Sequence, residues 1–153
     1  MIALSNDHAG LTLKGDMAAL LEEMGLPWKD LGVNSPESVD YPILGRRAAE
    51  GVASGEYERG ILLCGTGVGM ALSANKVRGI RCVVCSDCYT AKLSRLHNDA
   101  NILALGARVV GPDLARMIAR IWLETPFEGG RHARRVEMIM NIERDSSRAA
   151  GPG

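Results

Sequence analysis

Aromatic side chains are scarce in this sequence, and neither sign of charge is in excess. Phenylalanine, tryptophan and tyrosine make up 4% of the 153 residues, too few for the stacking platforms that bind single-stranded nucleic acids. Basic and acidic side chains number 18 each, so the formal net charge is zero and no bulk field attracts nucleic acid or a membrane surface. An anion site must therefore be built from local groups.

Long apolar runs are also missing. No segment approaches the roughly 20 apolar residues of a membrane-spanning helix, and residues 1–7 lack the basic region and apolar core of a signal peptide. We therefore expect a cytoplasmic protein without membrane contact, whose four cysteines are free thiols. Cys82, Cys85 and Cys88 have a spacing seen in metal clusters. Cys82 and Cys85 lie in a predicted strand, however, where residues three apart face opposite ways, so packing cysteines are expected.

Short aliphatic runs alternate with longer segments of helical periodicity. The runs predict strands at residues 2–5, 28–31, 60–63, 82–85 and 102–105. Helical spacing predicts helices over about 13–24, 41–53, 70–76, 89–96, 114–122 and 136–143. This alternation indicates a three-layer α/β/α, Rossmann-like fold with a five-stranded parallel sheet. We expect one domain over residues 1–145 and a flexible tail over residues 146–153.

The segment Cys64-Gly-Thr-Gly-Val-Gly69 follows the third predicted strand, at the end of the sheet where ligands of such folds collect. One interpretation is a dinucleotide-binding loop, with Asp87 near the end of the next strand as the ribose-binding acid. Met70 then occupies the third glycine position, and no Lys-Ser or Lys-Thr follows to make a P-loop. The nucleotide pattern is therefore incomplete.

Two other interpretations concern the thiol in this segment. Cys64 could be a small apolar residue packed beside a tight turn. Alternatively, the alternating glycines expose several N–H groups in one concavity at a helix N-terminus, which stabilises negative charge and increases the thiolate fraction of Cys64. A base beside an anion hole suits proton abstraction next to a carbonyl, as in aldose–ketose isomerisation, where the enediolate places charge on oxygen. That reaction needs no redox cofactor.

Two further clusters contain residue types that suit such a reaction. His97 lies in a dense polar segment with Asn98, and an imidazole titrating near neutrality could open the cyclic form of a sugar. Arg131 and Arg135 are four residues apart and share one helix face near its N-terminus, as a phosphate site requires. Solvated basic residues are the alternative for this cluster. His132 has no clear role and is interpreted as structural.

These residues together resemble the ribose-5-phosphate isomerase B family, which includes galactose-6-phosphate isomerase subunits. The resemblance covers nearly the whole chain. The motifs that carry it are Asp7-His8-Ala-Gly10, Asp40-Tyr-Pro42, Cys64-Gly-Thr-Gly-Val-Gly69 with Ala74-Asn-Lys76, Ser94-Arg-Leu-His-Asn-Asp99, Gly106-Ala-Arg-Val-Val-Gly111 and Gly129-Gly-Arg-His132. Six motifs in the family's order are far more specific than any one of them.

The resemblance implies roles for individual residues. Cys64 matches the proton-abstracting cysteine, Thr66 a hydroxyl that supports it, and His97 the ring-opening histidine. The residues that match substrate contacts are Asp7, His8, Tyr41, Gly65, Thr66, Gly67, Val68, Gly69, Asn98, Arg108, Arg131 and Arg135. The glycine loop matches the enediolate anion hole, and the three arginines match contacts at or near the phosphate. Some relatives use a glutamate after the glycine loop as the base, but residues 70–73 contain no acid here.

The resemblance also implies an enzyme without metal or redox cofactor. It implies a homodimer or tetramer whose active sites are shared between subunits. Ribose 5-phosphate and ribulose 5-phosphate are the expected substrate and product, with tetrose or hexose phosphates as alternatives. A dinucleotide-binding module, or a non-catalytic subunit of a larger sugar isomerase, remains a rival from another class.

Overall fold

A computed structural model describes residues 1–149, in which strands and helices alternate along the chain. The strands are β1 (Ile2–Asn6), β2 (Trp28–Asp30), β3 (Arg59–Cys64), β4 (Cys82–Val84) and β5 (Ile102–Gly106). The helices are α1 (Leu11–Glu23), α2 (Tyr41–Ala53), α3 (Val68–Ala74), α4 (Cys88–Leu96), α5 (Pro112–Glu124) and α6 (Arg131–Ala149). The positions predicted from the aliphatic runs and the helical spacing are confirmed.

The five strands form one parallel sheet in the order β2-β1-β3-β5-β4. β1 pairs with β2 on one side and with β3 on the other, so the strand order reverses between β1 and β3. At such a reversal the loops that leave the two strands diverge and open a crevice beyond their carboxyl ends. The predicted parallel α/β fold is therefore confirmed, and its crevice lies between the loop after β1 and the loop after β3.

Helices cover both faces of the sheet. On one face α1, α4 and α5 pack over Leu4, Leu63 and Leu103, and on the other α2 and α3 pack over Leu62 and Ala104. α5 shows why it packs: its buried residues Ala115, Ile118, Ala119 and Trp122 recur at i, i+3, i+4 and i+7. Each layer is thus formed by an apolar stripe on a helix and the side chains of one sheet face.

The cysteines of β4 and the residues after it pack as the strand periodicity predicts. Cys82 belongs to the apolar cluster under α2 and α3, whereas Cys85 belongs to the cluster on the opposite face. Burial raises the pKa of the Cys85 thiol to about 11, with the nearby Asp87 adding to the effect. Burial likewise raises the pKa of Cys82. Both thiols are protonated at neutral pH, and their side chains lie on opposite faces of the sheet.

α6 lies outside the two packed layers. Near its middle, Glu143 accepts a hydrogen bond from the Gly79 amide at 3.1 Å, and Met140 contacts the Arg81 guanidinium. The helix leaves apolar side chains exposed at Met138, Ile139 and Ile142. It continues to Ala149, and residues 150–153 lie outside the described part of the chain. The flexible tail expected over residues 146–153 stays a prediction. Within residues 1–149, the helices are all too short or too polar to span a bilayer.

Candidate active site

Cys64 is the last residue of β3, and its side chain is held by the turn that follows. The Gly67 N–H donates a hydrogen bond to the Cys64 Sγ over 3.1 Å. Gly67 has φ +82°, and a Cβ there would lie 3.1 Å from Val84 Cγ1, so this turn requires glycine both for its conformation and for its close packing. An N–H donor directed at sulfur stabilises negative charge on it. The amide of Gly67 is thus engaged with the thiol itself.

A cavity of about 390 Å³ opens above this turn. It is lined by residues from the loop after β1, the start of α2, the glycine loop, α3 and the turn after β5: Asp7, His8, Ala9, Tyr41, Cys64, Gly65, Thr66, Val68, Gly69, Leu72 and Arg108. Cys64 is only 4% exposed and also contacts the apolar core, yet it lines this cavity. Nine of the sequence-predicted residues therefore meet at one site. We call this set, with Gly67, the cysteine half-site.

Two lining residues, Ala9 and Leu72, were not predicted from the sequence. Ala9 lies inside the Asp7-His8-Ala-Gly10 motif, so its position in that loop was the available signal. Leu72 is four residues after Val68 on α3, and this spacing places both side chains on the same helix face. Helical periodicity could therefore have identified Leu72 once Val68 was chosen.

Asp7 and His8 are fixed by neighbouring backbone groups. The Asp7 carboxylate accepts the Gly10 amide at 2.8 Å, which closes the turn after β1. His8 Nδ1 accepts the Val39 amide at 3.2 Å, so in the neutral ring the proton resides on Nε2. The loop of residues 32–40, which has no interpretable sequence pattern, therefore determines the tautomer of His8.

Tyr41 and Arg108 complete the rim of the cavity. A Cβ on Gly69 would lie 2.7 Å from the Tyr41 ring, so the ring rests directly on the glycine-loop backbone. The Arg108 amide donates to the Gly65 carbonyl at 3.0 Å, and this bond fixes the arginine beside the same loop. Within residues 1–149, Arg108 forms no ion pair with a carboxylate. Its positive charge is thus available to an anion in the cavity.

His97 and Asn98 lie at the opposite end of the sheet, near the amino ends of its strands. Cys64 pairs with Gly106 at the carboxyl end of β5, whereas His97 precedes Ile102, at the amino end of the same strand. The two ends of this five-residue strand are four residue steps apart, a distance of about 13 Å at the usual rise per residue. The structure therefore does not bring His97 and Cys64 together within one chain.

Arg131 and Arg135 lie with His97 and not with Cys64. They occupy the first turns of α6, where both are exposed and form no ion pair among the described residues. His132 lies between them in sequence, and its ring stacks on the His97 ring with centroids 4.1 Å apart and planes 10° apart. Glu128 Oε2 lies 3.9 Å from His97 Nε2 and 3.7 Å from His132 Nε2. We call the set His97, Asn98, Glu128, Arg131, His132 and Arg135 the histidine half-site.

His97, Glu128 and His132 have ligand atoms within 4.8 Å of one another, which raises the question of a metal site. A histidine nitrogen binds a metal in the plane of its own ring, at about 2.0–2.1 Å for zinc. The stacked rings lie in nearly parallel planes. A metal bonded to both nitrogens would lie far out of the plane of at least one ring. The lone pairs run side by side and do not converge on one ion.

The segment containing His97 is clamped by two arginines. Asp99 is the one non-glycine residue with positive φ in residues 1–149, at +47°. Its carboxylate pairs with Arg95 at 2.9 Å and with Arg81 at 3.2 Å. Arg81 also donates to the Asn98 carbonyl at 3.0 Å. These bonds hold the backbone of the His97 segment in a conformation that it would not adopt alone.

Asp87 does not occupy the position that a dinucleotide site requires. It is the N-cap of α4, and its carboxylate accepts the Thr90 amide at 2.7 Å, a bond that lowers the pKa of Asp87. β5 lies between β3 and β4, so Asp87 does not follow a strand that neighbours β3, as the ribose-binding acid of a dinucleotide site would. The rival interpretation as a dinucleotide-binding module therefore loses the acid on which it depended.

Known proteins resemble this chain over almost all of its length. Residues 2–139 match the family described as ribose/galactose isomerase. Ribose-5-phosphate isomerase B of Escherichia coli is 53% identical over 142 residues, which cover 93% of this chain and 95% of that protein. D-erythrulose-4-phosphate isomerase of Pectobacterium atrosepticum is 44% identical over 139 residues, or 90% of this chain and 91% of the relative.

A solved structure resembles it equally closely. Ribose-5-phosphate isomerase B of Clostridium thermocellum superposes with a TM-score of 0.92 at 52% identity, over 95% of this chain and 98% of the other. The family match over residues 2–139 spans the residues of both half-sites. The chain therefore belongs to the ribose/galactose isomerase family.

Proposed function

We propose that this protein interconverts ribose 5-phosphate and ribulose 5-phosphate, with Cys64 as the base that moves the proton between C2 and C1. The observation that supports this most directly is the Cys64 sulfur, which lines a cavity and accepts an amide hydrogen bond. A buried thiol that served packing alone would not need an opening toward solvent. The names of the relatives in Escherichia coli and Clostridium thermocellum support the choice of a pentose phosphate.

The proton transfer follows from the groups in the cysteine half-site. The Cys64 thiolate removes the hydrogen from C2, and the electrons of that bond form the C1–C2 double bond of an enediolate. The new S–H then returns the proton to C1, while the hydroxyl proton at O2 passes to O1 and C2 becomes the ketone carbon. Thr66 and the free N–H groups of the glycine loop stabilise the oxygen charge, and Arg108 adds a cation.

Ring opening must precede this step, because the aldose exists mainly as a furanose. A proton leaves the anomeric hydroxyl and a proton reaches the ring oxygen as the C1–O bond breaks. We assign this exchange to His97, because an imidazole side chain can both accept and donate a proton. Within one chain, His97 lies near the amino ends of the strands and Cys64 at a carboxyl end. The His97 that acts with a given Cys64 therefore belongs to a second copy of the chain.

We therefore infer a homodimer, or a tetramer of paired dimers, in which each active site combines the cysteine half-site of one chain with the histidine half-site of another. The exposed apolar residues Met138, Ile139 and Ile142 on α6 support this assembly, because they adjoin the histidine half-site and need a covering surface. Arg131 and Arg135 of the second chain then bind the phosphate. The free thiols suit a cytoplasmic enzyme.

The proposal is tested by assaying the purified protein against C4, C5 and C6 aldose phosphates. We expect the pentose phosphate to give the highest kcat/KM, and a tetrose phosphate is the next candidate because the Pectobacterium relative is named for one. Cys64→Ala should lower kcat at least about 100-fold, the usual contribution of a positioned base, with little change in KM. Cys85→Ala is the matched control, since this buried thiol lies outside the cavity. Near-normal turnover by Cys64→Ala would refute the assignment.

A further inference from the structure

The ring of His132 stacks on the ring of His97 and can hold it in place. The two rings are nearly parallel, at 10°, with centroids 4.1 Å apart, an arrangement that aromatic pairs adopt when they stack. His97 is the C-cap residue of α4, beyond the last helical turn, and its side chain is 36% exposed. A half-exposed side chain at a helix end samples several rotamers unless another group restrains it. The His132 ring is that group.

His132 itself is rigidly placed. Gly129 and Gly130 have φ of +70° and +55°, a left-handed backbone conformation that residues with a side chain rarely adopt. These two glycines turn the chain into α6. The Glu128 amide donates to the Leu96 carbonyl at 3.1 Å, which ties this turn to the end of α4. His132 is 5% exposed, and its Nε2 has no hydrogen-bond partner among the described residues. Its position is therefore set by the backbone and by burial, and not by a hydrogen bond of the ring.

The surroundings keep His132 neutral. Burial lowers the pKa of His132, and the neighbouring His97 lowers it further, as do Arg131 and Arg135, while Glu128 acts in the opposite direction. Two imidazolium rings at this distance would repel each other. Of the two rings, His97 is the more exposed and is therefore the one that a substrate can reach.

We propose that His132 is a positioning residue for ring opening: its buried ring stacks on the His97 imidazole and fixes the plane of that ring. This inference rests on the proposed function, in which His97 opens the furanose. The signature GGRH of residues 129–132 then has a purpose in this chain: the glycines aim the ring and the ring orients His97.

The test compares a substrate that cyclises with one that does not. Ribose 5-phosphate closes a furanose through its C4 hydroxyl, whereas erythrose 4-phosphate has phosphate on that oxygen and forms no such ring. We expect His132→Ala to lower kcat on ribose 5-phosphate about tenfold to a hundredfold, the effect of a misplaced catalytic group, with KM nearly unchanged. On erythrose 4-phosphate the same variant should stay within about twofold of the wild type, because only ring opening depends on His97.

His132→Phe separates ring positioning from proton chemistry, since it keeps the stack but cannot titrate. It should retain ribose 5-phosphate turnover within about threefold of the wild type. His132→Gln replaces the alanine variant if the latter does not fold. If erythrose 4-phosphate turns over too slowly to measure, deuterium uptake from D₂O into ribulose 5-phosphate reports proton transfer alone, because phosphorylation of its C5 oxygen prevents a furanose.

An independent readout comes from imidazole NMR, which is simple because the chain contains three histidines. The His97 ring protons should show a ring-current shift that disappears in His132→Ala and persists in His132→Phe. Equal losses on both substrates, or a phenylalanine variant as slow as the alanine variant, would overturn the inference. These results differ from failure of the proposed function, in which Cys64→Ala would keep its activity whatever residue stands at position 132.

Discussion

Two inactive variants of this protein should restore activity when they assemble together. Cys64→Ala removes the proposed base at the carboxyl ends of the strands, and His97→Ala removes the proposed ring-opening group near the amino ends. Cys64 pairs with the carboxyl end of β5 and His97 precedes its amino end, and these two ends are about 13 Å apart, so we expect that one chain does not apply both residues to one substrate. A site that contains both must take them from different copies.

The expected recovery follows from counting intact sites. In an equal random mixture, half of the chains supply Cys64 and the other half supply His97, so about one quarter of the shared sites contain both. The fraction is the same for a dimer and for a tetramer of paired dimers. If both residues acted within one chain, every site would be defective, and activity would stay at the level of the single variants.

The assay coexpresses the two chains at equal levels, purifies all assemblies together without selecting the mixed ones, and follows ribulose 5-phosphate formation. Mixing the wild type with the double variant Cys64→Ala/His97→Ala provides a second check. Shared sites then predict about one quarter of wild-type activity, whereas sites within one chain predict about one half. Recovery near zero in the first mixture, with about one half in the second, would refute the proposed sharing of sites.

Three further predictions concern phosphate binding, loop conformation and pH. Arg131→Ala should raise KM for phosphorylated sugars by roughly 10–100-fold, because one or two charge-assisted hydrogen bonds are lost. Arg134→Ala, on another face of α6, should leave KM unchanged. Both values are measured by steady-state kinetics, and an equal effect of the two substitutions would contradict a phosphate role for Arg131. Asp99→Ala should lower the free energy of unfolding by about 2–4 kcal/mol, because it removes the carboxylate that pairs with Arg81 and Arg95 and places alanine in a left-handed conformation. Asp99→Asn, which tolerates that conformation, should cost less in urea denaturation, and equal costs would argue against strain. The native pKa of His132 lies below its unfolded value, so the unfolded state binds more protons and stability should fall as pH drops through about 6.5 and below. In thermal melts, the stability of His132→Phe should decline less steeply with falling pH than that of the wild type. An unchanged slope would contradict this cause.

Local patterns predicted the elements and the glycine loop of the cysteine half-site. Aliphatic runs and helical spacing depend on neighbours within a few residues, and the strands they predicted are those of the sheet. The cysteine half-site could be predicted for the same reason, since Cys64 and the glycine loop follow directly from β3. The loop of residues 32–40 was uninterpretable, because its contribution is a backbone amide, and every residue except proline has one.

The sequence by itself determined the elements of this protein, the thiol at the end of β3 and the motifs shared with its family. The tertiary structure alone decided that β5 inserts between β3 and β4, that His97 lies across the sheet from Cys64, and that His132 stacks on His97. The physical reason is that these relations join residues far apart in the chain. They arise from the packing of whole elements against one another, which short-range periodicity does not encode.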